Sequence, residues 1–388
     1  MPSTAQASDR LAFVERGLEE VLTRGELAAL LASEVPARHY IGFEISGRIH
    51  VGTGLLCMAK LRDFQRAGIE TTVFLADWHT WINDKLGGDP ETIRELAWDY
   101  FAEGMKASLS CVGGDPEAIR FVLGSDLYRE RDDYWATVVE VGKHTSLARM
   151  QRSISIMGRE EGEAVDFSKL IYPAMQVADI FTLGVNLVHA GMDQRKAHVI
   201  ARDVASQMQR NPLVGPDGAK AKPIALHHPL LLGLQKPPIW PVPPDGNLRD
   251  LRTAMKMSKS KPSSAIFIHD SPDTIRDKVR KAFCPPGVVE FNPILDWTRQ
   301  LLFDVFQEPL RVRRSEQHGG PVTFDAYEEL EAAYRQERLH PMDLKGAVAD
   351  RLVEVLEPAR THFEDPARVR ALELLDGALL APEARSHP

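Results

Sequence analysis

Two short segments hold the residue types that chemistry at a phosphate requires. In the first, Gly47-Arg48-Ile49-His50-Val51-Gly52-Thr53-Gly54, one histidine stands among three glycines. A helix N-terminus offers free backbone N–H groups and a positive dipole end, and glycines let a nucleotide lie close against the chain. The same pattern also serves as an ordinary helix start in α/β proteins. The second segment is Lys256-Met257-Ser258-Lys259-Ser260-Lys261. Lysines and small hydroxyl residues on a loop can fold over a triphosphate and neutralise charge developing on departing pyrophosphate, although a short charge run is commonly just a solvated loop. A third set, Tyr172, Gln176 and Asp179, shares one face of a helix read over 172–180, because offsets of three and four residues are neighbours there. Its plain alternative is a polar face at a subunit or domain boundary.

The elements that must position these residues follow from periodicity. Apolar residues at helical spacing from Leu11 to Leu31 predict one or two helices, ended by Pro36. A strand over 39–44, the glycine turn, a helix from near His50 to Gly68 and a strand over 71–76 make a βαβ unit. Such a unit demands parallel strands and a right-handed crossover. Further strands are expected over 121–125 and 187–190, with helices over 90–109, 134–157 and 194–208 and a surface turn over 160–166. Residues 211–252 read as loop, crowded with proline and glycine between 237 and 246. After Pro272 helical periodicity returns over 274–283, 296–306, 326–336, 343–356 and 369–379, with hardly a strand. The expected fold is therefore α/β: a Rossmann-like parallel-sheet catalytic domain over 1–265, with a helical insertion and the lysine loop, then a helical domain over 266–388.

The composition sets outer bounds. A chain of 388 residues, 44% hydrophobic and 26% charged, suits two or three globular domains rather than a repeat array or a disordered tail. Cys57, Cys111 and Cys284 lie far apart, with neither metal-ligand spacing nor a disulfide framework, which fits a reducing cytoplasm. No apolar run is long enough to cross a bilayer and no secretory leader opens the chain, so neither membrane nor secretion is expected. A net charge of −8 argues against a protein that coats nucleic acid over its whole surface, yet leaves room for a local basic face.

In this order and at this separation, His50-Val51-Gly52 after a first strand and KMSKS at 256–260 resemble the two signatures of class I aminoacyl-tRNA synthetases. Residues 40–54 (YIGFEISGRIHVGTG), 75–79 (LADWH), 171–184 (IYPAMQVADIFTLG), 191–198 (GMDQRKAH) and 340–345 (HPMDLK) resemble tyrosyl-tRNA synthetases of the archaeal and eukaryotic type. The first helix, the 211–251 loop and the last residues lie outside the match. The resemblance implies activation of L-tyrosine by ATP, with Mg²⁺ accompanying the ATP. Transfer to the 3′-terminal adenosine of tRNA(Tyr) follows, by a homodimer. It implies that Tyr40 and Asp179 bond the phenol hydroxyl, and that Tyr172, Gln176 and Gln194 surround the α-amino group. ATP would meet Gly47, His50, Gly52, Gly54, Lys256, Met257, Ser258, Lys259 and Ser260, with His50, Lys256 and Lys259 acting in catalysis.

The same match sets Arg152 and Arg195 near the first acceptor-stem pair, with surface ion pairing as the alternative. It places His318 where an aromatic residue stacks on the first anticodon base. Asp343 would accept from that base, a guanine, unless it only caps or opens its helix. Thr53 stands where the signature has a second histidine, which implies weaker phosphate contact. Rival readings are a tryptophanyl-tRNA synthetase, a nucleotidylyltransferase and a non-catalytic RNA-binding paralogue. The Tyr40 and Asp179 pair argues against the first. The lysine loop and HPMDLK argue against the second. The intact His50, Lys256, Lys259, Tyr40 and Asp179 argue against the third.

Overall fold

The structure is a computed structural model that describes residues 4–159, 165–242, 248–259 and 261–380. Six strands, β1 (Glu20–Leu22), β2 (Arg38–Phe43), β3 (Glu70–Leu75), β4 (Ile119–Leu123), β5 (Leu187–Gly191) and β6 (Ile224–His228), form one sheet in the order β1-β6-β5-β2-β3-β4. All neighbours are parallel except β1, which runs antiparallel to β6. From β2 the chain winds outward through β3 and β4, and then returns to the other side for β5 and β6. The order therefore reverses between β2 and β5, and in open α/β sheets a ligand crevice lies at that point, beyond the carboxyl ends of the strands. The glycine turn leaves β2 there, and the Gly191–Gln194 segment leaves β5 beside it.

The βαβ unit forms as its pattern predicts. Its helix opens with a wide turn over Gly52–Leu56, where the Leu56 N–H reaches the Val51 carbonyl at 3.1 Å, and continues as Cys57–Arg66. The stretch read as 134–157 is broken. Helix Asp132–Lys143 gives way to Leu147–Ser153, because the Ser146 hydroxyl caps a fresh start by accepting the Arg149 N–H.

Two strand readings need correction. β6 lies within the span read as loop: IALHH is buried throughout, but Pro223 and Pro229 flank it and its last two residues are histidines. β1 lies within the span read as helix, where pairing with β6 overrides helical spacing. Among the described residues beyond 266 helices predominate, as the periodicity predicts, joined by one hairpin of β7 (Leu310–Val312) and β8 (Val322–Phe324). One continuous apolar core runs from Ile41 and Leu55 through Trp297 and Leu352 to Leu375, so the later helices pack directly on the sheet layer. Among the described residues no helix is long and apolar enough to cross a membrane.

Candidate active site

The Phe167–Leu183 helix ends at Gly184, which adopts a left-handed φ of 63°, and presents Asp179 to the crevice. Asp179 is fully buried, and its Oδ1 accepts hydroxyl bonds from Tyr128 and Tyr134, each at 3.0 Å. Those two rings stack at 4.2 Å and hold one oxygen of the carboxylate in place. The other oxygen, Oδ2, has no hydrogen-bond partner, and His79 Nε2 lies 3.7 Å from it. Both ring nitrogens of His79 are also buried without a partner, and that ring meets Tyr172 edge-on at 4.5 Å. Tyr40, 2% exposed on β2, packs against Phe74, and burial together with the Asp179 charge pushes its hydroxyl well above the ordinary phenol range. Burial also drives the Asp179 carboxyl upward, against the pull of its two tyrosine donors. Buried polar atoms are rarely left unpaired in native proteins, so this convergence marks a slot for a polar group of a ligand.

A second polar end lies along the same helix face. Tyr172 donates its hydroxyl to Glu44 at 2.7 Å, and Asn83 Nδ2 donates to the same carboxylate at 3.0 Å. Gln176 Nε2 donates to Gln194 Oε1 at 3.4 Å, Gln194 Nε2 donates to the Ile156 carbonyl, and Gln176 Oε1 is buried without a partner. The structure thus brings Tyr172, Gln176 and Asp179 together as the helical register predicts, with Gln194, bonded to Gln176, and Tyr40 beside them.

The glycine turn and the lysine loop meet across the crevice. Gly47 has φ of 144°, a conformation open to glycine, and a side chain there would press on Lys259. Gly54 is required for packing, since a Cβ would fall 2.7 Å from Ser108 Oγ and 2.8 Å from Ile268 Cγ2. His50 Nδ1 accepts the Thr53 amide N–H at 3.2 Å, and its Nε2 lies 3.3 Å from Thr53 Oγ1. Burial, reinforced by the charges of Lys259 and Lys256, holds the His50 imidazole down to about 3. Lys259 Nζ donates to Ser46 Oγ at 3.2 Å and sits over the Phe101 ring, while Lys256 pairs with Asp193 at 2.5 Å. Burial lowers Lys259 to about 8, against the attraction of Glu44. Met257 is buried, and its N–H reaches the Leu231 carbonyl, which anchors the loop to the chain after β6. Ser258 follows on the loop; Ser260 lies outside the described residues, as does most of the turn expected over 160–166.

The remaining residues occupy two other places. Lys196 Nζ donates to the Arg152 carbonyl at 2.8 Å, joining the helix that carries exposed Arg152 to the one that begins at Arg195. Arg195 itself is ion-paired with Glu20 at 2.8 Å. At the far end of the later helices, Arg314 bonds both the Gly320 and Arg338 carbonyls. It thereby draws the β7–β8 loop with exposed His318 toward the start of the Pro341–Val355 helix with Asp343. His340 is the N-cap of that helix, its Nδ1 accepting the Met342 N–H, so Asp343 stands in the first turn and does not cap.

Sequence reasoning assigned no role to Tyr128, Tyr134, His79 or Glu44. His79 and Glu44 fall inside the segments LADWH and YIGFE that carried the resemblance, whereas nothing in local spacing singles out the two tyrosines.

Residues 32–357 match the family of class I tRNA synthetases (W and Y). Over 346 residues the chain is 58% identical to the tyrosine–tRNA ligase of Thermococcus sibiricus, covering 89% of this chain and 92% of that one. The Pyrococcus furiosus tyrosine–tRNA ligase is 54% identical over 351 residues, covering 90% and 93%. Among solved structures, tyrosyl-tRNA synthetase complexed with L-tyrosine from Pyrococcus horikoshii superposes with a TM-score of 0.92 at 53% identity, covering 96% of this chain and 99% of that chain. Tryptophanyl-tRNA synthetase from Aeropyrum pernix K1 superposes at 0.62 with 19% identity over 92% and 85%, a likeness of fold alone.

Proposed function

We infer that this chain, which belongs to the class I tRNA synthetases of the W and Y family, is a tyrosine–tRNA ligase. It activates L-tyrosine with ATP and transfers it to the 3′-terminal adenosine of tRNA(Tyr). The observation that carries this reading is the buried, half-satisfied carboxylate of Asp179. Two fixed tyrosine hydroxyls occupy one oxygen, and the other is left to accept the one hydroxyl that distinguishes tyrosine from phenylalanine. Tyr40 completes that end of the slot. At the opposite end Tyr172, Gln176 and Gln194, backed by Glu44, receive the α-amino group.

The tyrosine carboxylate then attacks the α-phosphorus of ATP in line, forming the acyl–phosphate bond of tyrosyl-adenylate as the bond to pyrophosphate breaks. No residue forms a covalent intermediate; the protein positions the reactants and stabilises charge. Gly47, His50, Gly52 and Gly54 form the bed for the nucleotide. Lys256, Met257, Ser258, Lys259 and Ser260 form the loop above it, whose lysines offset charge on the departing pyrophosphate. A Mg²⁺ ion would accompany the ATP, adding charge neutralisation.

For tRNA we assign Arg152 and Arg195 to the acceptor end and His318 and Asp343 to the anticodon, on a helical domain after residue 265. The Arg314 bridge between their two segments supports the last pair. Homodimeric assembly accords with the exposed Val139 and Leu147 on consecutive helices, and three free cysteines accord with a cytoplasmic setting. The deciding experiment is amino-acid-dependent pyrophosphate exchange with a panel of amino acids. Exchange with tyrosine and not phenylalanine is expected; exchange with tryptophan and none with tyrosine would overturn the reading.

A further inference from the structure

His50 is held through its neighbours, which are bonded to three separate parts of the fold. On one side the Ile49 N–H donates to the Tyr100 hydroxyl at 2.8 Å, and the Ile49 carbonyl accepts the Ile268 N–H at 3.0 Å. On the other the Val51 N–H donates to the Ile266 carbonyl at 2.9 Å. Two residues before His50, Arg48 forms a bidentate pair with Asp376, Nε to Oδ1 at 2.9 Å and Nη2 to Oδ2 at 2.5 Å, across 328 residues of sequence. Asp376 belongs to the last helix, Pro366–Leu380. That helix is itself secured: it packs on the Ala97–Ala102 turn that carries Tyr100, and Arg368 pairs with Glu103 at 3.1 Å. Leu379 of the same helix and Lys259 of the lysine loop both close the space beside Gly47 that a side chain there would fill.

We propose that Asp376 is a positioning residue for amino-acid activation, acting through Arg48 to hold the Gly47–His50 turn at the geometry from which it meets the ATP phosphates. The pair is a third or more exposed on each side, and ion pairs of that kind add little to global stability. A bidentate guanidinium–carboxylate contact does, however, fix direction. Here it holds Arg48, the residue just before the stretch whose main chain is bonded at Ile49 and Val51 to Ile268 and Ile266. Ground-state binding of tyrosine, which depends on residues along the Phe167–Leu183 helix, should not feel it.

This inference rests on the tyrosine–tRNA ligase reading, and the test separates the two. Tyrosine-dependent pyrophosphate exchange is measured on the full chain for the parent, Asp376→Asn, Asp376→Glu, Arg48→Glu and the reversed pair Arg48→Glu with Asp376→Arg, together with each variant's melting temperature. Asp376→Asn should lower kcat roughly tenfold, as displaced reacting groups do. The KM for tyrosine should stay within about twofold and the melting temperature should scarcely move. Asp376→Glu should recover most of the lost rate, and the reversed pair should exceed Arg48→Glu alone. Parental kcat in Asp376→Asn, or a loss that Glu does not recover, overturns the proposal while leaving the ligase reading intact. A parent that exchanges no tyrosine overturns the ligase reading itself.

Discussion

Replacing Asp179 by asparagine alters one oxygen and leaves the rest of its cluster nearly in place. The amide keeps an acceptor where Tyr128 and Tyr134 donate, but it puts an NH₂ where Oδ2 now has no partner. A substrate hydroxyl that donates to Oδ2 loses its acceptor. Hydrogen bonds to charged groups contribute about 1.5–3 kcal/mol and neutral ones about 0.5–1.5. Burial raises the Asp179 carboxyl well above its ordinary range, so the contact draws on both regimes. A loss of about 1–3 kcal/mol corresponds to a fall of roughly 5- to 150-fold in the ratio of kcat/KM for tyrosine to that for phenylalanine. Pyrophosphate exchange with the two amino acids measures this ratio directly. Nearly all the change should fall on tyrosine, since phenylalanine never made the bond. Tyr128→Phe, which removes only one donor from the far oxygen, should cost about fivefold or less. If Asp179→Asn keeps the parental ratio, or weakens both amino acids alike, the carboxylate organises the slot without touching the hydroxyl, and the assignment fails.

Lys259→Ala should reduce the rate of adenylate formation far more than tyrosine binding, as read by single-turnover kinetics against equilibrium binding. Because burial brings this lysine to about 8, kcat/KM for ATP should also decline as pH rises past 8, and Lys259→Arg should abolish that decline. Asp343→Ala should leave pyrophosphate exchange at the parental level. In aminoacylation it should lose on the order of 1–3 kcal/mol of preference for guanine at the first anticodon position, measured with paired transcripts. Stability should fall on acidification, because burial holds His39 at about 3 and His228 at about 4, below the ordinary 6.5. The unfolded chain binds those protons first, so stability is complete above about 6.5 and drains as pH drops toward 4, by about 1.4 kcal/mol per pH unit for each such ring. Both nitrogens of His39 are buried and unpartnered, so His39→Leu should lessen the slope in acid denaturation by about one proton.

What could be read before the structure was whatever short-range physics encodes. The β2-turn-helix-β3 unit is local: an apolar strand, a glycine turn and an amphipathic helix, each adjacent to the next. The alignment of Tyr172, Gln176 and Asp179 is also local, a matter of helical offsets. β6 was hidden because its five residues sit between Pro223 and Pro229, and because His227 and His228 are buried only through their neighbours: His228 bonds His189 on β5, and His227 bonds His198 and Glu20. Tyr128 and Tyr134 reach Asp179 from 51 and 45 residues away, from two different helices. No periodicity links positions that only the packed sheet brings together. Arg48 and Asp376 are the extreme case: two ordinary surface-type residues whose meeting depends on the last helix folding back over the first crossover.

The electrostatics of the crevice also reassigns the meaning of Thr53. A second histidine at that position, where the signature carries one, would sit beside His50 under the same two lysines. Burial and those charges hold His50 at about 3, so its ring is neutral near pH 7. With Nδ1 accepting the Thr53 amide, the proton of the neutral ring resides on Nε2, the nitrogen that lies 3.3 Å from the threonine hydroxyl. Threonine at that position keeps a hydroxyl beside that nitrogen in place of a second ring, and a neutral hydrogen bond contributes about 0.5–1.5 kcal/mol. The positive charge that a triphosphate needs sits across the crevice, on Lys256 and Lys259. Lys256 is held by Asp193 and Lys259 by Ser46 and the Phe101 ring, contacts that a nucleotide can exchange for its own oxygens. On the assignment proposed above, charge neutralisation falls to the loop and shape to the turn.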